Sequence, residues 1–500
     1  MNREYQDIII IGAGLSGIGA AYHISKKCPS KSLTILESRK NMGGTWDLFK
    51  YPGIRSDSDM FTLGYNFKPW KEKQSIADGP SILNYIKEAA KENALEDKIR
   101  YQHQVESIEW CSQSATWTLQ LLIDGKPSSM KCNYLLSCTG YYNYDQGYTP
   151  EYKGKDDYQG QFIHPQQWPE DLDYSGKKIV VIGSGATAIT LIPELAKTAG
   201  SVTMLQRSPT YVANVPKEEA LAITLRKYLP NKWVYRITRT RNVLRTMLQY
   251  KYCKAFPEKA RAAITGFAKK QLGENVDIKH FTPKYNPWDE RLCAAPGGDL
   301  FKVLRKGQAE IITDTIDTFT STGIQLQSGD TLEADIVVSA TGLDLKVMGG
   351  IAIKVDGQAF KISDSMVYRG ILLDNLPNLG LVFGYTNASW TLKSDLISEY
   401  VCRVINHMDK TRTRKCTPLK KKGVANTPFI DMNSGYLNRA QEQMPSQGNK
   451  VPWRLHQNYL WDMIMLRFSR VNDGVLKFER AKAIPTSITQ SETVKLAKAS

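Results

Sequence analysis

The sequence predicts an α/β fold with two parallel-sheet units and a helical segment inserted into the second unit. Two stretches, from residue 7 to Glu37 and from residue 178 to Arg207, follow one plan of apolar strand, glycine-rich turn, helix and second strand. Between residues 221 and 272 the pattern becomes helical and strongly basic. These observations together predict two Rossmann-like dinucleotide-binding units with a helical insertion.

The first unit carries the residues of a dinucleotide-binding turn. Its glycines are Gly12, Gly14 and Gly17, and Glu37 closes the second strand 20 residues after Gly17. In such turns the glycines permit the tight bend, the approach of backbone to a pyrophosphate, and close packing of helix on strand. N–H groups at the helix N-terminus face the phosphates, and the acid accepts hydrogen bonds from ribose hydroxyls. The glycine triplet alone is a weak signal, but its context predicts a bound dinucleotide.

The second unit differs at the position that distinguishes cofactors. Its turn consists of Gly183, Ser184, Gly185, Ala186, Thr187 and Ala188. Arg207, followed by Ser208, stands where the first unit has Glu37. An acid repels a ribose 2′-phosphate, whereas a guanidinium binds it with two parallel hydrogen bonds. The sequence therefore predicts NADPH in the second unit and, from the pairing of the units, a flavoprotein in which NADPH reduces FAD.

A disulfide reductase shares this plan of two units. Such an enzyme needs a redox-active cysteine pair soon after the first unit, and residues 40–59 contain no cysteine. The eight cysteines are scattered without a CxxC pair, which indicates neither a disulfide framework nor a metal site and favours a reducing compartment. No signal peptide or long apolar run is evident, so we expect a cytoplasmic protein.

Two similar strand ends, at residues 135–140 and 336–342, predict where the chain crosses between the units. The expected segments are 1–145 for the first part of an FAD-binding domain, 146–215 for the first part of an NADP-binding domain, 216–284 for the helical insertion, 285–342 for the second part of the NADP-binding domain, and 343–500 for the rest of the FAD-binding domain with a polar tail.

The charge of the chain leaves a second class of function open. The formal net charge is +16, which is compatible with an anionic partner, although no module typical of nucleic-acid binding is evident. Within the insertion, Trp233, Ile237, Leu244 and Leu248 fall on one helix face. This spacing predicts a face packed on its own domain, with weak peripheral contact to a membrane as the alternative.

Two longer motifs identify a family. The first is Gly44-x-Trp46-x-x-x-x-Tyr51-Pro52-Gly53-x-x-x-Asp57, and the second is Tyr158-x-Gly160-x-x-x-His164-x-x-x-Trp168-Pro169. They resemble the two fingerprints of the type I Baeyer–Villiger monooxygenases in the flavin-containing monooxygenase superfamily, with tyrosine for the usual phenylalanine at position 158. Trp168 distinguishes the second motif from that of the plain flavin monooxygenases. The stretches GGTWDLFKYPGIRSDSDM, HPQQWPEDLDY and YNPWDERLC resemble the branch that contains thioamide-oxidising members.

The resemblance implies an FAD-dependent monooxygenase that uses NADPH and O2. A peroxyflavin would insert one oxygen atom beside a ketone carbonyl to give an ester, and would also oxidise sulfides and thioamides. A sulfur- or nitrogen-oxidising monooxygenase without this insertion chemistry remains the alternative. Incubation with NADPH and a linear ketone distinguishes the two, because only the first makes an ester.

The resemblance also implies roles for individual residues. Arg291 matches the arginine that stabilises the negatively charged oxygen adduct, and Asp57 would orient it. His164 is expected to have a hinge or structural role rather than an acid–base role. Glu290 departs from the pattern, because many members have a lysine there that helps to bind the 2′-phosphate.

The resemblance further implies two sets of cofactor-binding residues. The implied FAD-binding residues are Gly12, Gly14, Ser16, Gly17, Glu37, Gly44, Thr45, Trp46, Asp47, Arg55, Asp57 and Val105. Those for NADPH are Gly183, Ser184, Gly185, Ala186, Thr187, Ala188, Arg207 and Ser208.

Overall fold

The structure is a computed structural model that describes residues 4–290, 292–430 and 435–480. The first part of the chain forms, in order, β1 (Glu4–Ile11), α1 (Leu15–Lys27), β2 (Leu33–Leu36), α2 (Thr45–Leu48), α3 (Met60–Leu63), α4 (Gly79–Glu92), β3 (Ile99–Arg100), β4 (His103–Cys111), β5 (Thr116–Ile123), β6 (Lys126–Ser137) and β7 (Tyr142–Gly147).

The middle of the chain holds the second unit and the insertion. Its elements are β8 (Gln161–Ile163), β9 (Lys178–Ile182), α5 (Ala186–Leu195), β10 (Ser201–Gln206), β11 (Val212–Val215), α6 (Ala220–Leu225), α7 (Asn231–Ala255), α8 (Pro257–Leu272), β12 (Cys293–Pro296), α9 (Asp299–Arg305), β13 (Glu310–Thr313), β14 (Ile316–Thr320), β15 (Gly323–Leu326), β16 (Thr331–Glu333) and β17 (Ile336–Ser339).

The last part returns to the first unit. Its elements are β18 (Leu343–Leu345), β19 (Ala352–Val355), β20 (Gln358–Ala359), β21 (Val367–Tyr368), β22 (Leu372–Leu373), β23 (Leu379–Leu381), α10 (Trp390–Thr411), β24 (Lys415–Pro418), β25 (Asn426–Pro428), α11 (Gly435–Ala440), β26 (Ser446–Gly448), α12 (Tyr459–Phe468) and β27 (Leu476–Glu479).

The larger sheet has 11 strands among the described residues and is parallel at its centre, where β6, β1 and β2 lie side by side. Ile10 on β1 pairs with Ile35 on one side and Leu136 on the other. Residues of β1 alternate between two hydrophobic cores, one on each face of the sheet. Ile8 and Ile10 pack in the core that includes α1 and α10, and Ile9 packs in the core on the other face. Both faces are covered, which explains the continuous apolar sequence of β1.

The smaller sheet has five parallel strands in the order β13-β10-β9-β17-β8, again within the described residues. The chain enters it after β7 and leaves it before β18, and these two strands pair with each other. The two similar strand ends seen in the sequence therefore do mark the crossings between the sheets. The predicted α/β fold with two parallel units and a helical insertion is confirmed.

The insertion consists of α6, α7 and α8, which lie between β11 and β12 in the chain. These two strands pair in parallel, so the insertion leaves and re-enters the second unit at neighbouring points. Helix α7 crosses to the first unit and packs against α3. There the Arg239 guanidinium donates to the carbonyl oxygens of Phe61 and Gly64, and the Tyr235 hydroxyl donates to the Tyr65 carbonyl.

The predicted packing of the apolar stripe on α7 is wrong. Trp233, Ile237, Leu244 and Leu248 are exposed, with 55% of Trp233 and 66% of Leu248 accessible. The helix instead buries the other side, which includes Thr238 and Asn242. Hydrogen bonds determine this orientation of the helix, since the Asn242 amide donates to the carboxylates of Asp59 and Glu219. Apolar spacing alone could not reveal it.

In the part of the chain that the structure describes, the helices are too short or too polar to span a bilayer.

Candidate active site

The turn between β1 and α1 requires glycine for steric reasons. Gly12 has a φ of +102°, and a Cβ built there would lie 2.6 Å from the Cys138 carbonyl oxygen. A Cβ on Gly17 would lie 1.9 Å from the Gly12 carbonyl oxygen. Helix α1 begins at Leu15 after Gly14, and no side chain caps its N-terminus. Its first N–H groups can therefore bind a phosphate, which fits a dinucleotide pyrophosphate.

Glu37 lies directly under this turn. Its carboxylate accepts hydrogen bonds from the backbone N–H of Ala13, at 2.8 Å, and of Arg39, at 3.0 Å. Burial raises the pKa of Glu37, while these two N–H groups and the Arg39 charge oppose the rise. The side chain is thus anchored beside the turn, where an acid can accept hydrogen bonds from a ribose.

Several of the other residues predicted to bind FAD are held by contacts that the sequence did not indicate. The Trp390 indole N–H donates to the Ser16 hydroxyl at 2.7 Å, and the Asp47 carboxylate lies 2.8 Å from the Arg39 guanidinium. The Thr45 hydroxyl lies 3.5 Å from that of Tyr144. Trp46 packs at the edge of the core beside α1, and Val105 is a buried core residue of β4.

The second glycine-rich turn repeats the geometry of the first. Gly183 has a φ of +136°, and a Cβ there would lie 2.3 Å from the Ala340 carbonyl oxygen. Gly185 precedes α5, which also lacks a side-chain cap, and a Cβ on Gly185 would meet no atom within 4 Å. Ala186 and Thr187 open the helix, half-buried Ser184 lies in the turn, and Ala188 is fully buried in the core. The open space and free N–H groups fit a second pyrophosphate.

Arg207 and Ser208 follow β10 directly, and both are exposed. Glu290 is near enough to Arg207 for the two charges to interact: burial raises the pKa of Glu290, and the positive charge of Arg207 opposes that rise. A carboxylate beside the predicted 2′-phosphate site would weaken phosphate binding, because like charges repel.

The motif loop of residues 43–59 joins the two turns. At its start the Gly43 N–H donates to the Ala13 carbonyl at 3.0 Å. Further along, burial raises the pKa of Tyr51, and the neighbouring Thr187 side chain at the start of α5 opposes that rise. Gly53 has a φ of +76°, and a Cβ there would lie 3.1 Å from the Thr190 carbonyl oxygen. The loop therefore runs from the turn of the first unit onto the helix of the second.

Arg55 extends this contact to α9. One of its guanidinium nitrogens, Nη1, lies 2.5 Å from the Asp299 carboxylate. Its Nε and Nη2 are buried and have no hydrogen-bond partner among the described residues. The sequence suggested Arg55 as a site residue, but nothing in it indicated Asp299, which lies far away in the chain.

The structure describes only one of the two predicted catalytic residues, Asp57. Asp57 lies in the motif loop with an exposed side chain, and its charge contributes to raising the pKa of Tyr51, after the larger effect of burial. Arg291 lies outside the described residues. Its neighbour in the chain, β12, begins at Cys293, whose N–H donates to the Tyr211 carbonyl at 2.9 Å.

His164 directly follows β8 of the smaller sheet, and its ring lies against Gly147 at the end of β7, where a Cβ would lie 1.9 Å from it. Its Nε2 is 3.1 Å from the Gly342 carbonyl oxygen, and its Nδ1 accepts the Gln166 N–H at 3.2 Å. Burial lowers the pKa of His164, which favours the neutral ring with its proton on Nε2. The ring thus ties the first crossing to the second, which is compatible with the expected hinge.

Comparison with known proteins identifies the family. The family described as flavin-binding monooxygenase-like matches residues 5–346. The chain belongs to this family. It is 50% identical over 483 residues to the FAD-containing monooxygenase EthA of Mycolicibacterium smegmatis, covering 96% of this chain and 98% of that protein. It is 48% identical over 484 residues to EthA of Mycobacterium tuberculosis strain H37Rv, covering 96% and 99%.

Solved structures share the fold. A steroid monooxygenase in its oxidised form bound to NADP superposes with a TM-score of 0.76 at 21% identity, covering 95% of this chain and all of that one. The predictions of a flavin monooxygenase and of FAD and NADP as its cofactors are confirmed at the level of the family and its relatives.

Proposed function

We propose that this flavin monooxygenase carries out Baeyer–Villiger oxidation. In this reaction a ketone, O2, NADPH and a proton give an ester, NADP⁺ and water, so one oxygen atom enters a carbon–carbon bond beside the carbonyl. With a sulfide or thioamide, the same co-reactants give the S-oxide, NADP⁺ and water. Small ketones, sulfides and thioamides are the proposed substrates.

The observation that carries this proposal is the course of the motif loop. It begins beside the turn of the first unit, through Gly43, and ends against the helix of the second, through Tyr51 and Gly53. A flavin held at the first turn and a nicotinamide dinucleotide held at the second would share this loop. That arrangement suits an enzyme in which one cofactor reduces the other.

We assign the cofactors to these turns by the chemistry of their residues. Gly12, Gly14 and Gly17 would hold the FAD pyrophosphate and Glu37 its ribose, while Arg207 would bind the 2′-phosphate of NADPH. When bound, FAD supplies the redox chemistry, because it accepts hydride from NADPH and activates O2. The chain itself binds and orients the two cofactors and surrounds the substrate.

The remaining proposed site residues act on developing charge. Arg291 would stabilise the negative charge that develops on the substrate carbonyl oxygen, an effect worth about 3 to 4 kcal/mol in other enzymes. Asp57 would keep that guanidinium oriented. This assignment is supported by the motif around Arg291 and by its place in the chain, just before β12 and the helix α9 that the motif loop contacts through Arg55.

Sheet membership supports the proposed domains. Segments 1–145 and 343–500 would form the FAD-binding domain, because β1–β6 and β19–β23 share the larger sheet. Segments 146–215 and 285–342 would form the NADP-binding domain, since β8, β9, β10, β13 and β17 share the smaller one. The segment 216–284 between them is the proposed helical insertion.

A second candidate is a monooxygenase that oxidises only sulfur or nitrogen. The identity of 48 to 50% to the EthA proteins favours it, because these relatives carry the general name of monooxygenase. The two candidates need the same cofactors and differ in whether the enzyme attacks a carbonyl.

Product analysis separates the candidates. Purified protein is supplied with FAD, NADPH and isotopically labelled O2, with either a linear ketone or an aryl sulfide as substrate. An ester that carries one labelled oxygen atom supports the proposal, and a sulfoxide without any ester supports the second candidate. Consumption of NADPH that yields only hydrogen peroxide with every substrate would contradict both. A reaction with NADH in place of NADPH serves as the control for cofactor choice.

A further inference from the structure

Helices α7 and α12 leave a large apolar surface uncovered. On α7 the exposed apolar side chains recur at intervals of four or seven residues and so share one face, and on α12 they also share one face. We call this set the α7–α12 surface; it comprises Trp233, Ile237, Leu244, Leu248 and Tyr252 from α7, and Leu460, Trp461, Ile464 and Phe468 from α12. Phe468 is 75% exposed. Large exposed apolar areas mark interaction sites on soluble proteins.

The two helices are neighbours. A small core joins them, in which Val243 of α7, Leu392 of α10 and Tyr459 of α12 pack together. Both helices also contact α10, since Arg239 of α7 lies 3.8 Å from Asp395 and Lys393 lies 2.6 Å from Asp462 of α12. With their inner sides fixed on α10, both helices turn their apolar residues away from it.

Charge indicates the chemistry of the partner. Helix α7 contains seven basic residues and no acidic residue. Three of them point to acceptors of the protein: Arg239 to backbone carbonyls, Arg241 to Glu219 and Lys254 to Asp289. Among the described residues, no ion pair involves the other four, which are all exposed: Lys232, Arg236, Arg245 and Lys251.

Two of these basic residues border the apolar stripe. Arg236 and Arg245 lie on either side of the line from Trp233 to Leu248 in a helix of 3.6 residues per turn. The Arg236 guanidinium lies 5.5 Å from the centre of the Trp233 ring. An apolar stripe with aromatic side chains and basic flanks is the pattern of a helix that lies in the interface of a bilayer. A second copy of the chain would bring like charges together.

We propose that the α7–α12 surface binds the surface of an anionic membrane. The apolar side chains would enter the region between the headgroups and the acyl chains, and the four exposed basic residues of α7 would contact lipid phosphates. This binding is independent of the proposed reaction, because no residue of the α7–α12 surface is among the proposed cofactor-binding or catalytic residues.

Vesicle flotation with the full-length protein tests the proposal. We expect binding to vesicles that contain phosphatidylglycerol, much weaker binding to pure phosphatidylcholine vesicles, and release from the anionic vesicles at high salt. Equal recovery of the protein with and without anionic vesicles would overturn the proposal. So would a concentration-dependent dimer in light scattering that forms through this surface and excludes vesicles.

Two sets of variants identify the residues responsible. The triple variant Arg236→Gln, Arg245→Gln and Lys251→Gln should lower the partition coefficient for anionic vesicles by about 100-fold, which corresponds to about fivefold per charge. The double variant Leu244→Ser and Leu248→Ser should lower it at least tenfold. Leu419→Ser, which changes an exposed leucine outside both helices, is the matched control and should bind as the parent does.

Retained NADPH oxidation and far-ultraviolet circular dichroism show that each variant is folded. A folded triple variant that binds anionic vesicles as well as the control would overturn the proposal. If the parent protein showed no monooxygenase activity, the proposed function would be refuted. The vesicle test would be unaffected, because vesicle binding is measured separately.

Discussion

Arg55 in the motif loop forms a largely buried ion pair with Asp299 at the start of α9. The two charged groups lie 2.5 Å apart, and their side chains are only 11% and 17% exposed. Arg55 follows the turn of the first unit, whereas α9 belongs to the segment that returns to the smaller sheet. This pair therefore connects the two predicted cofactor sites, and the loss of one partner would leave the other charge buried without compensation.

Replacement of Asp299 by asparagine should slow the transfer of hydride between the sites. We expect the rate of flavin reduction by NADPH to fall about tenfold, which corresponds to about 1.4 kcal/mol, because the motif loop would lose its fixed position against α9. The FAD content should stay unchanged, since the turn at Gly12 is not altered. Anaerobic stopped-flow absorbance measures the rate. Asp317→Asn, at an exposed site, is the control, and equal rates in both variants would refute the coupling role.

Arg207 should determine the preference for NADPH. Arg207→Ala should raise the KM for NADPH by about 10- to 100-fold, as expected for loss of a charged hydrogen bond of about 1.5 to 3 kcal/mol. The KM for NADH, which lacks the 2′-phosphate, should change little. Steady-state kinetics with both cofactors checks this, and a parallel rise in both KM values would show that Arg207 does not bind the 2′-phosphate.

Glu290 should weaken that preference in the parent protein. Its carboxylate interacts with the charge of Arg207, so Glu290→Lys should lower the KM for NADPH several-fold while the KM for NADH stays constant. Glu290→Gln, which removes the charge without adding one, should give an intermediate value. An unchanged ratio of the two KM values in both variants would place Glu290 away from the bound phosphate.

The sequence predicted the fold well because its signals are local. Strand β9 begins at residue 178, where the second unit was predicted to start, and Gly12 and Gly183 lie in turns that tolerate only glycine. Contacts between distant segments carried no such signal. The Arg55–Asp299 pair joins residues 244 positions apart, and the bond from Trp390 to Ser16 spans 374.

The insertion shows where apolar periodicity fails. Leu244 and Leu248 suggested a buried face, yet the buried face of α7 contains Thr238 and Asn242. Hydrogen bonds from Asn242 to Asp59 and Glu219 compensate the burial of these polar groups. A pattern that counts only apolar residues cannot anticipate partners that come from other parts of the chain.

His164 should make stability sensitive to mild acid. Burial lowers its pKa in the folded state below the ordinary value, so its contribution is present above about pH 6.5 and is lost as the pH falls through the lowered folded pKa. Protonation of Nδ1 also breaks the hydrogen bond from the Gln166 N–H, worth about 1 kcal/mol. His164→Gln should reduce the loss of thermal stability between about pH 7.5 and about pH 5. An identical loss in both proteins would exclude this role.

The proposed chemistry depends on the positive charge at position 291, and one measurement tests it most directly. Arg291→Ala is compared with the parent and with Arg291→Lys in two assays on the same preparations, namely anaerobic bleaching of the flavin by NADPH and ester formation from a linear ketone in air. We predict that Arg291→Ala is reduced by NADPH but makes no detectable ester, and that Arg291→Lys retains a small part of the activity. Ester formation by Arg291→Ala at the rate of the parent protein would contradict the account.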